Sequence, residues 1–171
     1  FMNFAHANVH MGHGFTKTIS ISSGKGGVGK TTVVSNLALQ LASEGHRVLI
    51  LDGDLGMANV DIMFGARTQF HINDVLAGRK NLKDVIIEVR ENIFLIPGGS
   101  GIYDLQNVSL FQKRLLLDQV SQLEGLYDYL LIDTAPGISD NVLYLNAAAH
   151  EIVLVLSPDP ASLTDTYALI K

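Results

Sequence analysis

Apolar residues follow two alternating spacings along this chain, one typical of strands and one typical of helices. In Lys17–Ser22, isoleucines alternate with polar residues, which predicts a short strand. In Thr31–Glu44, apolar residues recur at helical spacing, which predicts a helix that ends at Gly45. The segment Arg47–Leu51 contains the continuous apolar run Val48–Leu51, typical of a strand covered on both faces. The chain therefore opens with a strand–helix–strand unit.

The alternation of strands and helices continues to the end of the sequence. Helices are predicted at Ile72–Ala77, Leu82–Val89, Ser109–Leu123, Asn141–Ala149 and from Ser162, and strands at Asn92–Ile96, Tyr127–Ile132 and Glu151–Leu156. Such alternation predicts the α/β fold class, a mostly parallel twisted sheet with helices on both faces. Ligands of these folds bind where the strands end, so the loops after Ser22, Asp52, Ile132 and Leu156 are candidates for the site.

Composition narrows the class of protein further. Of the 171 residues, 47% are hydrophobic and 17% charged, the balance of a core-forming domain rather than a disordered chain. The longest apolar runs fall short of the roughly 20 residues of a membrane span. The sequence contains no cysteine, which excludes disulfides and thiolate metal sites within it. Because the chain has a formal net charge of -5, we do not expect nucleic acid as a partner, and we expect a cytoplasmic location.

The two ends of the sequence differ from its centre. Residues 1–16 are expected to be a poorly ordered leader, with one domain at 17–171. His6, His10 and His13 have the spacing of one helical face, an arrangement that also suits a metal ion. A helical pattern is still running at Lys171, so we expect a C-terminally truncated, incomplete version of the domain.

A glycine-rich segment lies between the first predicted strand and the first predicted helix. It consists of Gly24, Lys25, Gly26, Gly27, Val28, Gly29, Lys30, Thr31 and Thr32. It fits the pattern G-x-x-x-x-G-K-[ST], in which backbone N–H groups surround phosphate oxygens and the following helix adds its positive end. In this pattern Lys30 reaches the β- and γ-phosphates and the Thr31 hydroxyl holds Mg²⁺. Because a strand precedes it and a helix follows, a nucleotide-binding site is favoured over a chance glycine-rich turn.

Acidic residues follow two other predicted strands. Asp52 and Asp54 come at the end of the second strand, and Asp133 at the end of a later one. A carboxylate at that place, near a bound triphosphate, holds Mg²⁺ directly or through water, or orients the attacking water. The alternative for any single aspartate is that it caps the next helix. Two such loops beside a complete phosphate loop favour the metal and water roles.

These segments resemble the MinD/ParA group of ATPases, which carry a deviant phosphate loop. The similarity lies in Gly24-Lys25-Gly26-Gly27, in Asp54 and in Asp133-Thr134-Ala135-Pro136-Gly137. The resemblance implies ATP and Mg²⁺ as cofactors and a P-loop ATPase domain over 17–171. It also implies that Lys25 reaches the nucleotide of a partner subunit, that Asp54 positions the hydrolytic water, and that Asp133 lies near Mg²⁺. The implied catalytic residues are then Lys25, Lys30 and Asp54, and the implied magnesium residues are Thr31, Asp52, Asp54 and Asp133.

Within this group the sequence resembles flagellar regulators of the FlhG type. The segment Gly56-Met57-Ala58-Asn59-Val60-Asp61 is similar to their G-x-A-N-x-D pattern. The resemblance implies an ATP-dependent homodimer whose slow hydrolysis controls flagellar number or placement, with the GTPase FlhF and basal-body proteins as partners. It implies peripheral contact with the inner face of the cell membrane only through a segment beyond Lys171. The alternative is a MinD/ParA-type positioning ATPase for cell division or DNA partition.

Overall fold

Strands and helices alternate along the chain, as the apolar spacing predicts. The computed structural model describes residues 14–54, 59–99 and 109–171. Within these ranges the elements are β1 (Lys17–Ser22), α1 (Lys30–Ser43), β2 (Val48–Gly53), α2 (Val60–Phe64), α3 (Ile72–Leu76), α4 (Leu82–Val85), β3 (Ile87–Arg90), β4 (Ile93–Ile96), α5 (Leu110–Ser121), β5 (Tyr129–Thr134), α6 (Asp140–Ala147), β6 (Glu151–Leu154) and α7 (Pro160–Ile170).

The strands form one sheet in the order β3-β4-β2-β5-β1-β6. All neighbouring pairs are parallel except β3 with β4 at one edge, so the predicted mostly parallel sheet is confirmed. β5 lies between β1 and β2, and its Asp133 is level with Ile21 on one side and Asp52 on the other. The carboxyl ends of these three strands therefore meet at one edge of the sheet.

Apolar side chains of the sheet pack against helices on both faces. In β2, Leu49 and Leu51 join the cluster that includes residues of α3, α4 and α5. The alternate residues Val48 and Ile50 join the opposite cluster, which contains Val34 of α1. Successive side chains of a strand point to opposite faces, so a continuous apolar run lets β2 fill both cores. The two cores hold the ends of β1, β2 and β5 in fixed relation.

The predicted helix over Leu82–Val89 was wrong in its second half. The helix α4 ends at Val85, and Ile87–Arg90 is the antiparallel edge strand β3. Its side chains alternate, with Ile87 and Val89 half-buried and their neighbours exposed. This two-residue period, carried by β-branched residues, outweighs the helical spacing of the preceding turn. The short helix α2 had not been predicted.

The first described residues are attached to the body of the domain. The Thr16 hydroxyl donates to the Tyr127 carbonyl at 2.7 Å and accepts from the Gly125 amide at 2.9 Å. Phe15 lies against His150, with 4.7 Å between the ring centroids. The three histidines with the spacing of one helical face, His6, His10 and His13, lie outside the described residues, as do residues 55–58 and 100–108. Within the described part of the chain, every helix is too short or too polar to cross a membrane.

Candidate nucleotide-binding site

The glycine-rich segment forms a tight loop between β1 and α1. Gly27 and Gly29 have φ angles of +76° and +99°, a region that side chains with a Cβ rarely adopt. Helix α1 begins at Lys30, and its first turn contains no acidic residue. The positive end of the helix macrodipole is therefore left to act on whatever anion the loop binds.

Lys30 is buried at the start of α1. Its Nζ donates to the Ser23 hydroxyl at 2.9 Å, directly behind the loop. Burial lowers the pKa of Lys30, and the nearby carboxylates of Asp133 and Asp54 oppose that shift. A buried cation at the start of a helix, near the carboxylates of Asp133 and Asp54, is suited to a phosphate chain.

Thr31 and Asp133 meet across the loop. The Thr31 hydroxyl donates to Oδ2 of Asp133 at 2.7 Å, and Asp133 is 1% exposed. Its other oxygen, Oδ1, is buried without a hydrogen-bond partner among the described residues. Burial raises the pKa of Asp133, while the Thr31 hydroxyl and Lys30 lower it. A hydroxyl and an unsatisfied carboxylate oxygen side by side are the hard oxygen donors that Mg²⁺ prefers.

Asp52 is turned toward its own loop. Its Oδ2 accepts the amides of Asn59 and Val60, both at 3.1 Å, and its Oδ1 accepts the amide of Asp54 at 3.3 Å. Burial raises the pKa of Asp52 to about 7, against the lowering effect of these amides. Asp52 thus fixes the start of α2 to the end of β2. It lies near the predicted metal position because it is paired with Asp133 on the neighbouring strand.

A cleft of about 270 Å³ opens in front of the loop. It is lined by Gly26, Gly27, Gly29, Lys30, Thr31, Thr32, Asp54, Asn59 and Pro136. The phosphate-loop cleft, as we call it, brings together most of the predicted nucleotide residues and the predicted water-positioning carboxylate of Asp54. Asn59 and Pro136 were not predicted as site residues. Each lies in a loop that follows a strand with an aspartate near its end, and this position was the feature of the sequence that could have identified it.

Lys25 lies on the outer side of the loop. Its Nζ forms an ion pair with Oδ1 of Asp159 at 3.4 Å, with both side chains partly exposed. Asp159 is the N-cap residue of α7. It accepts the Ser162 amide and the Ser157 hydroxyl, and these bonds lower the pKa of Asp159 to about 2. In this single chain the Lys25 ammonium is directed to α7 of its own subunit. Sequence reasoning did not identify Asp159.

Gly24 has a packing reason to be glycine. A Cβ on Gly24 would overlap the backbone of α7 at Asp165 and Thr166. On the other side of the loop, the Gly137 amide donates to the Ser23 carbonyl at 2.9 Å. The loops that follow β1, β5 and β6 therefore touch one another, as expected for parallel strands that end at one edge.

The chain is similar in sequence to a known domain family and to known bacterial proteins. A family model described as an AAA domain matches residues 16–171. The antiactivator FleN of Pseudomonas aeruginosa is 43% identical over 155 residues, and the flagellum site-determining protein YlxH of Helicobacter pylori is 40% identical over 161 residues. These alignments cover 91% and 92% of this chain but 55% and 54% of the relatives. The chain therefore spans about half the length of the curated relatives it matches.

A solved structure has the same fold. The septum site-determining protein MinD from Pyrococcus horikoshii, complexed with Mg-ADP, superposes with a TM-score of 0.77 at 38% identity. The match covers 90% of this chain and 63% of that one.

Proposed function

Because the chain belongs to the MinD/ParA family of P-loop ATPases, in the branch of FleN and YlxH, we propose that it is a Mg²⁺-ATP-dependent switch ATPase that controls flagellar number or placement. ATP closes two subunits into a homodimer, and slow hydrolysis to ADP and phosphate lets them part. The flagellar role is preferred to a role in division because the similar protein YlxH is named as flagellum site-determining, and because residues 56–61 resemble the pattern of FlhG-type flagellar regulators.

The observation that carries the proposal is the grouping of Lys30, Thr31 and Asp133. A lysine buried at a helix start, with a hydroxyl and a half-satisfied carboxylate beside it, has no role in packing an apolar core. A phosphate chain with Mg²⁺ would satisfy all three groups at once. The backbone amides of residues 24–32 and Lys30 would hold the phosphates, and Thr31 with Asp133 would hold Mg²⁺, which neutralises charge on the phosphates.

The remaining predicted residues take roles around this centre. Asp54, at the rim of the phosphate-loop cleft, positions the attacking water. Asp52 supports the magnesium shell indirectly, since its oxygens are engaged by loop amides. Lys25 exchanges its partner Asp159 for the nucleotide of a second subunit. The proposed partners are the second copy, the GTPase FlhF and basal-body proteins, at the cytoplasmic face of the membrane.

The proposal is tested by removing each lysine of the loop in turn. We expect Lys30→Ala to weaken Mg²⁺-ATP binding roughly a hundredfold, because it removes the cation aimed at the phosphates. Lys25→Ala is the matched control, since it deletes the same side chain from the same loop but leaves binding by the single subunit intact. Isothermal titration calorimetry with ATP and Mg²⁺ measures both. Equal affinity in wild type and Lys30→Ala would refute the site.

A further inference from the structure

Four polar side chains form a buried cluster beneath the phosphate loop. Asn146 of α6 accepts, at its Oδ1, the Ser20 hydroxyl at 2.5 Å and the Ser22 hydroxyl at 2.8 Å. Ser22 also lies 2.8 Å from the Thr134 hydroxyl, which donates to the Ile21 carbonyl at 3.0 Å. The two serines and Thr134 are fully buried, and Asn146 is 7% exposed. This cluster, the Asn146 network, joins β1, β5 and α6.

The network has four contacts but only three hydroxyl protons, one each on Ser20, Ser22 and Thr134, so the four hydrogen bonds cannot all form at once. Ser22 has a single proton, which serves either Asn146 or Thr134. If Ser22 donates to Asn146, the single proton of Thr134 serves either Ser22 or the Ile21 carbonyl, and the other contact is left without a proton. If Thr134 keeps Ile21, Ser22 donates to Thr134 and Asn146 retains only Ser20. Buried polar groups that share protons in this way act as a unit, and a change at one member is felt by the others.

The network lies where the parts of the nucleotide site originate. Ser22 is followed by Ser23, which holds Lys30 and accepts the Gly137 amide. Thr134 follows Asp133, the partner of Thr31. Asn146 lies on the helix that follows residues 135–139, the loop between Asp133 and α6. One amide side chain therefore connects the strand before the phosphate loop with the strand and helix that flank the Asp133 loop.

We propose that Asn146 is a positioning residue of the nucleotide site: through Ser22 and Thr134 it sets the placement of Asp133 relative to the phosphate loop, and thereby the contribution of Mg²⁺ to nucleotide binding. The inference rests on the proposed function. The phosphates are held by the loop amides and Lys30, which the network does not replace. The metal needs Thr31 and Asp133 in fixed relation, and these residues follow different strands that the network ties together.

The test measures ADP affinity by calorimetry with Mg²⁺ and with EDTA, and takes the ratio as the Mg²⁺ enhancement. We expect Asn146→Ala and Thr134→Val each to reduce this enhancement roughly tenfold, the effect of one lost buried hydrogen bond, while Mg²⁺-free affinity is unchanged. Thr134→Ser keeps the hydroxyl and should keep the enhancement. Ser35→Ala is the matched control, because Ser35 is buried in α1 and its hydroxyl has no partner among the described residues.

The double variant Asn146→Ala/Thr134→Val separates coupling from coincidence. Its enhancement should match that of the more affected single variant, since both changes open the same network. The inference would be overturned if the two substitutions reduced the enhancement additively. It would also be overturned if the enhancement stayed unchanged, whether or not the affinities with Mg²⁺ and with EDTA fell equally. Neither result would contradict the nucleotide site itself. If wild type binds ADP equally with and without Mg²⁺, the proposed function fails and the inference with it. If Asn146→Ala does not fold, the test is the Mg²⁺ enhancement of the isosteric variant Thr134→Val compared with that of Thr134→Ser.

Discussion

At the scale of single residues, the neighbouring carboxylates of Asp52 and Asp133 differ in the groups that they contact. Asp52 and Asp133 are paired on adjacent strands, and each is 1% exposed. Asp133 accepts the Thr31 hydroxyl at one oxygen, and its other oxygen has no hydrogen-bond partner among the described residues, whereas Asp52 accepts three loop amides. Their side-chain chemistry is identical, so the difference in role arises from the donors that each carboxylate meets.

The buried Asp52 makes stability depend on pH. Its pKa is about 7 in the folded chain, against an ordinary value near 3.8, so between these values the folded state binds more protons and stability falls as pH rises. We expect the unfolding free energy of wild type, relative to Asp52→Asn, to fall by about 1.4 kcal/mol between pH 6 and pH 8. Urea denaturation at each pH gives the difference. Parallel pH profiles of the two proteins would contradict it.

At the scale of elements, α7 is fitted onto the phosphate loop. Gly24 leaves room for the backbone of Asp165 and Thr166, and the Lys25–Asp159 ion pair lies next to that contact. The ion pair is partly exposed and contributes little to stability, so the close backbone approach is the stronger determinant. The first glycine of the loop thus allows the close approach of a helix about 140 residues further along the chain.

Two glycine substitutions in the loop should differ in their effect on stability. Gly24→Ala forces α7 or the loop to move, and we expect it to cost about 1–3 kcal/mol, as overpacking does. Gly26→Ala places its Cβ 3.7 Å from Pro136, an ordinary contact, and should change stability by less than about 0.5 kcal/mol. Chemical denaturation followed by circular dichroism compares the two. A tolerated Gly24→Ala would mean that α7 is not fitted to the loop in solution.

For the whole molecule, the proposed cycle requires two subunits. For Lys25 to reach a partner subunit, as proposed, it must leave Asp159, and this exchange would cost little free energy because both side chains are partly exposed. In the proposed cycle Asp54 acts on the attacking water, so its removal would leave the phosphate contacts proposed for Lys30 and Thr31 in place. The proposal therefore assigns dimer formation and dimer release to different residues.

Lys25→Ala and Asp54→Ala should stop the cycle at opposite points. With ATP and Mg²⁺, we expect Lys25→Ala to remain monomeric. Asp54→Ala should form a long-lived dimer with phosphate release slowed about 10²–10⁴-fold, the usual contribution of such a group. Sedimentation velocity and phosphate release, measured side by side, test both. An Asp54→Ala protein that hydrolyses ATP normally, or a Lys25→Ala protein that dimerises normally, would remove the assigned role.

The sequence by itself determined whatever depends on near neighbours. Strand and helix spacing predicted the parallel sheet, and the pattern from Gly24 to Thr31 predicted the phosphate loop, because both are written within a few consecutive residues. Strand ends also located Asp54 and Asp133. The division at Val85 between helix and strand was missed because the two spacings overlap there.

Only the tertiary structure decided which distant groups meet. The turn of Asp52 toward the start of α2, the fit of Gly24 against α7, and the Asn146 network all depend on segments brought together by the sheet order. Ser22 and Asn146 are separated by 124 positions, and nothing in the spacing of either segment refers to the other. Hydrogen bonds and steric limits act over a few ångströms in space, and local sequence patterns do not specify which distant groups come within that range.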